Sequence, residues 1–307
     1  MHTCAIVNPA AGGGRVRRLW PSLLPALLEV TDRLTVRWTS GPGTAARLTR
    51  RSLRHGADRV VAIGGDGTLH GVVNGFFEGP RAVAPTAVCA FVACGTGSDA
   101  RWALGLPTGV AAIHHLRQAP VRPVDLLRLR YTAADGTTRS RYAINVASFG
   151  LSGAVVRWAQ RARRIPIPPR LRYVGAIVAA LCTHQPNAVS VHLDDLPLPA
   201  ERVWAVAVAN GSTFGAGLRI APTAHMNDGQ LNVTIVRARA VHSLLLDAAQ
   251  FYRGSVAAVD GVSTYTGQAV TAQSTTAAPV PLEADGERLG QVPASIEIVP
   301  GALRVQA

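Results

Sequence analysis

The chain has 307 residues, 48% of them hydrophobic, and this length and composition predict one large or two medium packed domains. Its net charge is +13. All 31 basic residues are arginines, so a Walker A lysine, a Schiff-base lysine and a lysine general base are excluded. The basic surplus favours an anionic partner, and because aromatic residues make up 5% of the chain without an RNP-like or helix-turn-helix signature, an acidic membrane surface is a better candidate than nucleic acid.

The first third of the chain alternates apolar runs with segments of helical periodicity. Strands are predicted at residues 4–7, 34–39, 60–63 and 86–93, and helices at residues 16–30, 44–55, from about 68, and 99–104. Pro21 and Pro25 are expected to disturb or shift the start of the first helix. Strands that alternate with helices predict a parallel sheet, which binds ligands at the carboxyl ends of its strands.

Glycine-rich turns follow three of these strands, at residues 8–15, 64–68 and 94–99. In the second turn, Asp66 stands among glycines before a helix that starts near Thr68. Glycine lets backbone N–H groups approach a ligand, and a helix N-terminus favours an anion. A nucleotide phosphate is therefore the first ligand to propose, with a divalent cation bridging it to Asp66. An ordinary turn with a capping aspartate explains this loop alone equally well.

The third turn also satisfies the dinucleotide-binding pattern, through Gly95, Gly97 and Ala100. That pattern normally follows the first strand and has an acidic residue about 20 positions later. Here it follows the fourth strand, and the nearest acidic residue beyond the loop helix is Asp125. A Rossmann dehydrogenase is therefore a minor alternative.

From about Asp125 the periodicity becomes that of strands. A hairpin is predicted at residues 126–131 and 139–146 around Asp135-Gly136, with helices near residues 153–180 and 240–252 and strands at residues 188–193, 203–209, 231–236, 263–272, 280–284 and 295–299. We expect a parallel α/β domain over residues 1–123 and an antiparallel β-sandwich domain with inserted helices over residues 124–307, whose last residues pack back on the first domain. Residues 119–123 are the predicted linker.

The insert at residues 157–172 carries six arginines and no acidic residue, interleaved with apolar side chains such as Trp158, Ile165, Ile167 and Leu171. One interpretation is a solvated basic helix followed by a proline loop. The other is a patch that sits on an anionic bilayer with its apolar side chains inserted. Because the prolines prevent one continuous amphipathic helix, both interpretations stay open.

No run of about 18 apolar residues occurs, and the N-terminus lacks the charged-then-apolar order of a signal peptide, so a soluble cytosolic protein is expected. The four cysteines lack CxxC spacing. We expect buried, reduced thiols rather than metal ligands or disulfides at Cys4, Cys89, Cys94 and Cys182.

Seven short motifs follow one another along nearly the whole chain. They are Asn8-Pro9 with Gly12; GGDGT at residues 64–68 with Asn74-Gly75; residues 95–99; Asn145 with Phe149-Gly150-Leu151; Asn210-Gly211 with Gly215 and Gly217; Ala221-Pro222 with Asn227-Asp228-Gly229; and Asp285-Gly286-Glu287. In this order they resemble the diacylglycerol kinase catalytic-domain family, soluble lipid kinases that include sphingosine and ceramide kinases and are distantly related to NAD kinases and phosphofructokinases.

The resemblance implies transfer of a phosphoryl group from ATP to a lipid hydroxyl, with ATP in the cleft between the two domains. It implies ATP contacts, with Arg15 in place of a lysine, from Asn8, Pro9, Gly12, Thr39, Gly65, Asp66, Gly67, Thr68, Gly71, Thr96 and Gly97. It implies a structural Mg²⁺ in the loop from His225 to Gln230, with Asp228 linked through water. Glu287, also a predicted metal residue, would face Asp66 and the nucleotide. The catalytic residues would be Asp285, as the general base, and Asp66. Without the resemblance, Asp285-Gly286 would be interpreted as a hairpin turn.

Some positions depart from the family pattern. Ser98 replaces the usual asparagine, Gly71 stands where many members have glutamate, and no lysine is present, so the preference for ATP over GTP stays open. An NAD kinase, a sphingoid-base kinase and a non-catalytic lipid-binding protein are the alternatives. The expected partners are a lipid acceptor and an anionic inner membrane surface contacted peripherally, without nucleic acid, and a homodimer is left open.

Overall fold

The structure is a computed structural model that describes residues 1–95, 98–162, 167, 169–199, 202–215 and 217–307. The chain divides into two compact units. The first comprises Met1–Asp125 together with Gly301–Ala307, and the second comprises Leu126–Pro300.

The first unit is built on a parallel sheet. Its strands are β1 (His2–Val7), β2 (Arg33–Trp38), β3 (Arg59–Gly64) and β6 (Val88–Ala93), with a small hairpin of β4 (Phe77–Glu78) and β5 (Arg81–Ala82). The order β2-β1-β3-β6 is parallel throughout, and residues 304–306 continue it alongside β6. Because apolar side chains cover these strands on both faces, β3 and β6 are buried along their whole length.

The described residues of this unit form the helices α1 (Ala11–Glu29), α2 (Thr44–Arg54), α3 (Asp66–Gly75), α4 (Asp99–Leu104) and α5 (Val110–His115). In α1, the three glycines at positions 12–14 have positive φ, so the regular helix begins after them. Pro21 and Pro25 lie inside this helix, which continues past both of them. The sequence did not predict α5.

The second unit contains the antiparallel strands β7 (Val121–Thr132), β8 (Thr138–Ala143), β9 (Val146–Gly150), β10 (Asn187–Leu193), β11 (Leu196–Leu198), β12 (Arg202–Ala209), β13 (Leu231–Arg237), β14 (Val262–Gly267), β15 (Ala269–Ser274), β16 (Pro281–Ala284) and β17 (Glu287–Gln306). The strand β7 begins and β17 ends in the first unit. Pairing runs around a closed ring, β9-β16-β17-β15-β10-β12-β9. The ring encloses one apolar cluster, to which strand residues such as Phe149, Val206 and Leu282 contribute.

Helices α6 (Leu151–Arg161), α7 (Pro169–Thr183), α8 (Val241–Leu246) and α9 (Ala248–Arg253) complete the second unit. Each predicted helical stretch therefore contains two helices. Two predicted strands are also divided, because the chain leaves the strand geometry at residues 144–145 and at Gln268. Residues 121–123 of the predicted linker belong to β7. Cys182 is exposed, so the prediction of a buried thiol was wrong there, whereas the other three cysteines are buried.

Candidate active site

Three glycine turns lie at the carboxyl ends of adjacent parallel strands in the first unit. Residues 8–14 follow β1, residues 64–68 follow β3, and the described residues 94, 95 and 98 follow β6. The parallel pairing of β1 with β3 and of β3 with β6 brings these turns to one edge of the sheet. This is the edge at which open parallel sheets bind ligands.

The three turns contact one another through one side-chain hydrogen bond and through two close approaches that leave no room for a Cβ atom. The Asn8 side-chain amide donates to Thr68 Oγ1 at 3.0 Å. A Cβ atom added to Gly12 would lie 2.8 Å from the carbonyl oxygen of Cys94, and one added to Gly95 would lie 2.6 Å from the Cα atom of Gly65. Glycine is thus required at positions 12 and 95, where the turns pack backbone against backbone.

Residues predicted to bind the nucleotide surround these turns. Arg15 is exposed and follows Gly12–Gly14, and Pro9 lies within the first turn. Thr39 follows β2, and its N–H donates to Val7 at the end of β1 at 2.9 Å. Gly67 is exposed in the first turn of α3, where backbone N–H groups have no partner within the helix. Thr96 and Gly97 lie outside the described residues.

Asp66 connects the second turn to the third. Its two carboxylate oxygens accept the backbone N–H groups of Asp99 and Ala100, both at 3.2 Å, at the start of α4. Gly71 lies on the face of α3 that meets α2, where a Cβ atom would approach that of Ala45 to 2.8 Å. Helix packing therefore provides a reason for glycine at position 71.

In the second unit, Asp285 occupies the turn between β16 and β17 with a left-handed φ of 50°. Its carboxylate accepts three backbone N–H groups, from Ile144 at 3.1 Å, Asn145 at 3.0 Å and Val146 at 3.3 Å. Its own N–H donates to the carbonyl of Val146 at 2.9 Å. These bonds fix the orientation of the carboxylate against residues 144–146.

A layer of asparagines supports the same residues from behind. Asn210 donates through its side chain to the carbonyl of Ile144 at 2.8 Å, and its backbone N–H donates to the carbonyl of Asn145. The side-chain amide of Asn145 donates to the carbonyl of Thr213 at 2.7 Å. The sequence motifs that begin at Asn145 and Asn210 therefore meet around the Asp285 turn. Their N–H groups pair with buried backbone carbonyl groups, which would be costly to leave without a donor.

Glu283 is a buried residue that the sequence analysis missed. It stands opposite Ser148 in the pairing of β16 with β9, accepts the Ser148 hydroxyl through one oxygen, and accepts the N–H of Gly286 through the other at 2.9 Å. A buried carboxylate is costly unless it is hydrogen-bonded. Its two partners therefore tie the turn that carries Asp285 to β9.

Three of the predicted metal residues lie on one exposed loop, where Asp228 and Gln230 carry side-chain oxygens and His225 carries an imidazole, without a closed cage. Asp228 is exposed, and one of its oxygens accepts the N–H of Gln230 at 3.0 Å; His225 and Gln230 are also exposed. Among the described residues, no group of three or more His, Cys, Asp or Glu side chains is placed to hold a metal ion. Mg²⁺ commonly binds through one or two carboxylates with water and substrate phosphates, and this donor set fits that mode.

The chain matches two family models that together cover both units: the diacylglycerol kinase catalytic domain over residues 2–129, and the YegS C-terminal NAD kinase beta sandwich-like domain over residues 145–307. With the glycine-turn edge and the closed antiparallel unit, these matches define a two-domain kinase with an N-terminal catalytic domain and a C-terminal β-sandwich-like domain.

Similar proteins agree with this class. A Stenotrophomonas maltophilia protein described as "Probable lipid kinase YegS-like" is 29% identical over 274 residues, which cover 89% of this chain and 86% of that protein. A Mycobacterium tuberculosis diacylglycerol kinase is 27% identical over 98% of this chain and 93% of its own length. The crystal structure of a diacylglycerol kinase from Bacillus anthracis superposes with a TM-score of 0.71 at 18% identity, covering 99% of this chain and 96% of that one.

The chain belongs to the diacylglycerol kinase family and is a lipid kinase, a phosphotransferase with an alcohol acceptor. The family resemblance seen in the sequence is thereby confirmed. In the part of the chain that the structure describes, no helix combines the length and the apolar character that a membrane span requires.

Proposed function

We propose that this protein transfers the γ-phosphate of ATP to the hydroxyl of a diacylglycerol-like lipid, with Mg²⁺ as the metal cofactor. The observation that carries the proposal is the convergence of the three glycine turns, held together by the Asn8–Thr68 hydrogen bond and the Gly65–Gly95 contact. Phosphoryl transfer depends mainly on positioning and charge neutralisation, and an edge of backbone amides provides both.

The donor phosphates would be held by backbone N–H groups of the Gly65–Thr68 turn at the start of α3, together with Asn8, Gly12 and Thr39. Because the chain has no lysine, the side-chain cation at this edge would be Arg15. Arginine presents a planar set of donors that matches phosphate oxygens in pairs. Thr96 and Gly97 complete the proposed set of nucleotide contacts.

Asp66 would orient the donor, with Glu287 as a further carboxylate. Asp228, with His225 and Gln230 in the same loop, would hold a structural Mg²⁺. A divalent cation bound at Asp66 would neutralise charge on the phosphates, whereas the ion in the loop of Asp228 would be structural. The chain itself supplies the fixed amides, and Asp66 is already oriented by the N–H groups of Asp99 and Ala100.

Asp285 would be the general base that accepts the proton of the lipid hydroxyl. A base must be held within hydrogen-bond reach of the proton that it takes, so a fixed orientation favours this role. The three amides of residues 144–146 provide that fixed orientation. The protein would act peripherally at an anionic membrane surface, where its acceptor resides.

The test is ATP consumption by the purified protein with four acceptors presented separately: diacylglycerol in mixed micelles, a sphingoid base, a polyprenol and NAD. We expect Mg²⁺-dependent phosphorylation of diacylglycerol, and loss of signal in Asp285→Asn. Phosphorylation of NAD or of the sphingoid base alone would replace the proposed acceptor. ATP binding without phosphorylation of any of the four would contradict the kinase assignment for this chain.

A further inference from the structure

The outer face of α7 is an apolar stripe. Leu171, Val174 and Val178 are 61%, 41% and 39% exposed, and Cys182 is exposed further along the helix. At 3.6 residues per turn, the spacings of 3, 4 and 4 place all four side chains on one side of the helix. We call these four residues the α7 stripe.

The opposite face of α7 is apolar as well and is already packed. Ala176 and Ala180 are buried against Ala154 and Val155 of α6, and Leu181 is buried in the neighbouring cluster. A helix at a water-exposed surface normally carries polar residues on its outer side, whereas a helix that is apolar all round is covered by something. The exposed side chains of the α7 stripe therefore indicate a binding partner with an apolar surface.

The surroundings of the α7 stripe are strongly basic. The sequence has no aspartate or glutamate between Asp135 and Asp194, a stretch that includes all of α6 and α7. Arg157 and Arg161 are exposed on α6, and neither forms an ion pair with any residue that the structure describes. Trp158 donates to Thr183 at 3.3 Å, so α6 and its arginines are fixed beside the end of α7.

A second exposed apolar element covers the same core cluster. Leu244 of α8 is buried with Leu181 of α7, while the next two residues, Leu245 and Leu246, are 44% and 81% exposed. Both helical inserts of the second unit thus place apolar side chains in water. Exposed leucines of this kind mark interaction sites when they occur together rather than singly.

We propose that the α7 stripe, together with the exposed Arg157 and Arg161 of the neighbouring helix α6, is the surface by which this protein inserts into an anionic lipid bilayer. The inference rests on the proposed function, because a kinase whose acceptor is a lipid must reach that lipid in a membrane. Apolar side chains beside cations are the chemistry of helices that lie in the plane of a bilayer interface. This assigns the apolar contact to α7, whereas the sequence left a solvated basic helix and a membrane patch at residues 157–172 equally open. Leu171 belongs to both that segment and the α7 stripe, and residues 163–166 and 168 lie outside the described part of the chain.

The positive charges of Arg157 and Arg161 disfavour a second copy of this chain as the partner of the α7 stripe. In a symmetric dimer the same patch meets itself, so Arg157 and Arg161 of one copy would approach those of the other. Like charges brought together at an interface are costly. An anionic bilayer instead pairs each arginine with lipid phosphate.

Cys182 allows a direct test with the native sequence, because the other three cysteines are buried. An environment-sensitive fluorophore on Cys182 should shift to the blue on addition of vesicles of phosphatidylcholine with phosphatidylglycerol. Vesicles of phosphatidylcholine alone should give a weaker response, and raised salt should reduce the binding. An unchanged spectrum while the protein co-sediments with vesicles would overturn the proposal, because another surface would then contact the lipid.

Matched variants separate the apolar contribution from the charges. The triple variant Leu171→Gln, Val174→Gln, Val178→Gln keeps good helix formers and should weaken vesicle partitioning by about tenfold or more. Leu28→Gln is its control, because Leu28 is 57% exposed on α1. Arg157→Gln with Arg161→Gln should weaken binding to anionic vesicles by about tenfold, while Arg47→Gln with Arg51→Gln, an equally spaced pair on α2, should have a smaller effect.

Binding that is insensitive to the triple variant overturns the proposal, and so does a dimer that dissociates when the α7 stripe is changed. Phosphorylation of diacylglycerol dispersed in detergent micelles reports on the enzyme separately. Micellar activity in the triple variant together with lost vesicle binding supports the α7 stripe. Vesicle binding through the stripe by a protein without kinase activity would contradict the proposed function and leave this inference intact.

Discussion

Asp285 combines two unusual properties at one residue. A non-glycine residue with positive φ is uncommon, and asparagine and aspartate tolerate this conformation better than most others. Here the cost is offset by the three amides that its carboxylate accepts. The aspartate thus both forms the turn and presents the proposed base.

Asp285→Asn is expected to abolish turnover while the protein stays folded and binds ATP. Asparagine suits the backbone conformation, but its amide cannot accept the hydroxyl proton, so kcat should fall by about 100-fold or more. One N–H group would lose its acceptor, which costs about 1–3 kcal/mol of stability. The measurements are kcat with diacylglycerol, equilibrium ATP binding and thermal unfolding. Retained phosphorylation would exclude Asp285 as the base.

Glu283 is expected to act on the Asp285 turn rather than on the substrate. Glu283→Leu leaves the buried Ser148 hydroxyl and the Gly286 N–H without their acceptor, so stability should fall by about 2–4 kcal/mol. Glu283→Gln keeps one acceptor oxygen and should lose about half as much, with near-normal KM for ATP. Urea unfolding of both variants provides the comparison. Equal stability of the leucine variant and the unchanged protein would show that the hydrogen bonds of Glu283 with Ser148 and Gly286 do not stabilise the turn.

At the scale of elements, Arg59 joins three strands of the first unit from a buried position. Its guanidinium donates to Thr3 Oγ1 at 3.2 Å, to the carbonyl of Val30 at 3.0 Å and to the Gln306 side chain at 3.0 Å. Burial lowers the pKa of Arg59, partly compensated by the negative charge of Asp32. The first, third and last strands of the sheet are therefore connected by one side chain.

Arg59→Leu should destabilise the first unit by about 2–4 kcal/mol, because several buried acceptors lose their donor. Arg59→Lys keeps the charge but not the planar fork, so it should give a smaller loss of stability. Urea unfolding and protease sensitivity of residues 301–307 measure the effect. If Arg59→Leu leaves the free energy of unfolding unchanged, removal of the buried charge compensates fully for the lost hydrogen bonds.

Local patterns predicted most elements, whereas distant contacts decided the errors. Apolar periodicity and glycine turns located β1, β2, β3, β6 and α4 because these signals lie within a few residues. The predicted strand at residues 263–272 is divided where the N–H groups of Gln268 and Ala269 donate to Asp194, a residue far away in the sequence. Glu283 was missed for the same reason, because its partner Ser148 lies on β9, far away in the sequence. The residues next to Glu283 give no indication that its carboxylate is buried.

At the scale of the whole molecule, the cysteines report on folding. The thiolate is the reactive form of cysteine, and burial raises the pKa of the Cys89 thiol to about 12 and also raises the pKa of Cys4 and Cys94. One thiol, Cys182, should therefore react with a thiol reagent in the native protein, and all four after unfolding. Titration with an aromatic disulfide reagent measures both numbers. More than one rapidly reacting thiol in the native state would contradict the burial.

Because the pKa values of the Cys4, Cys89 and Cys94 thiols are raised, the stability of the protein should depend on pH. In the unfolded chain they ionise above pH 9, while in the folded protein they stay protonated to higher pH. Their contribution to stability is complete below pH 9 and is lost as the pH rises, at up to about 1.4 kcal/mol per pH unit for each thiol. Urea unfolding of Cys89→Ala against the unchanged protein, at pH 8 and pH 10.5, should show a shallower decline in the variant.

The return of residues 301–307 to the first unit has a consequence for synthesis on the ribosome. The strand that pairs with β6 is translated after the whole of the second unit. Until it emerges, the nascent first unit has an unpaired strand edge at Val88–Ala90 and an Arg59 without Gln306, and such an edge can pair with other chains. Assembly of the first unit is therefore completed after translation of the second unit, although its own first strand is made first.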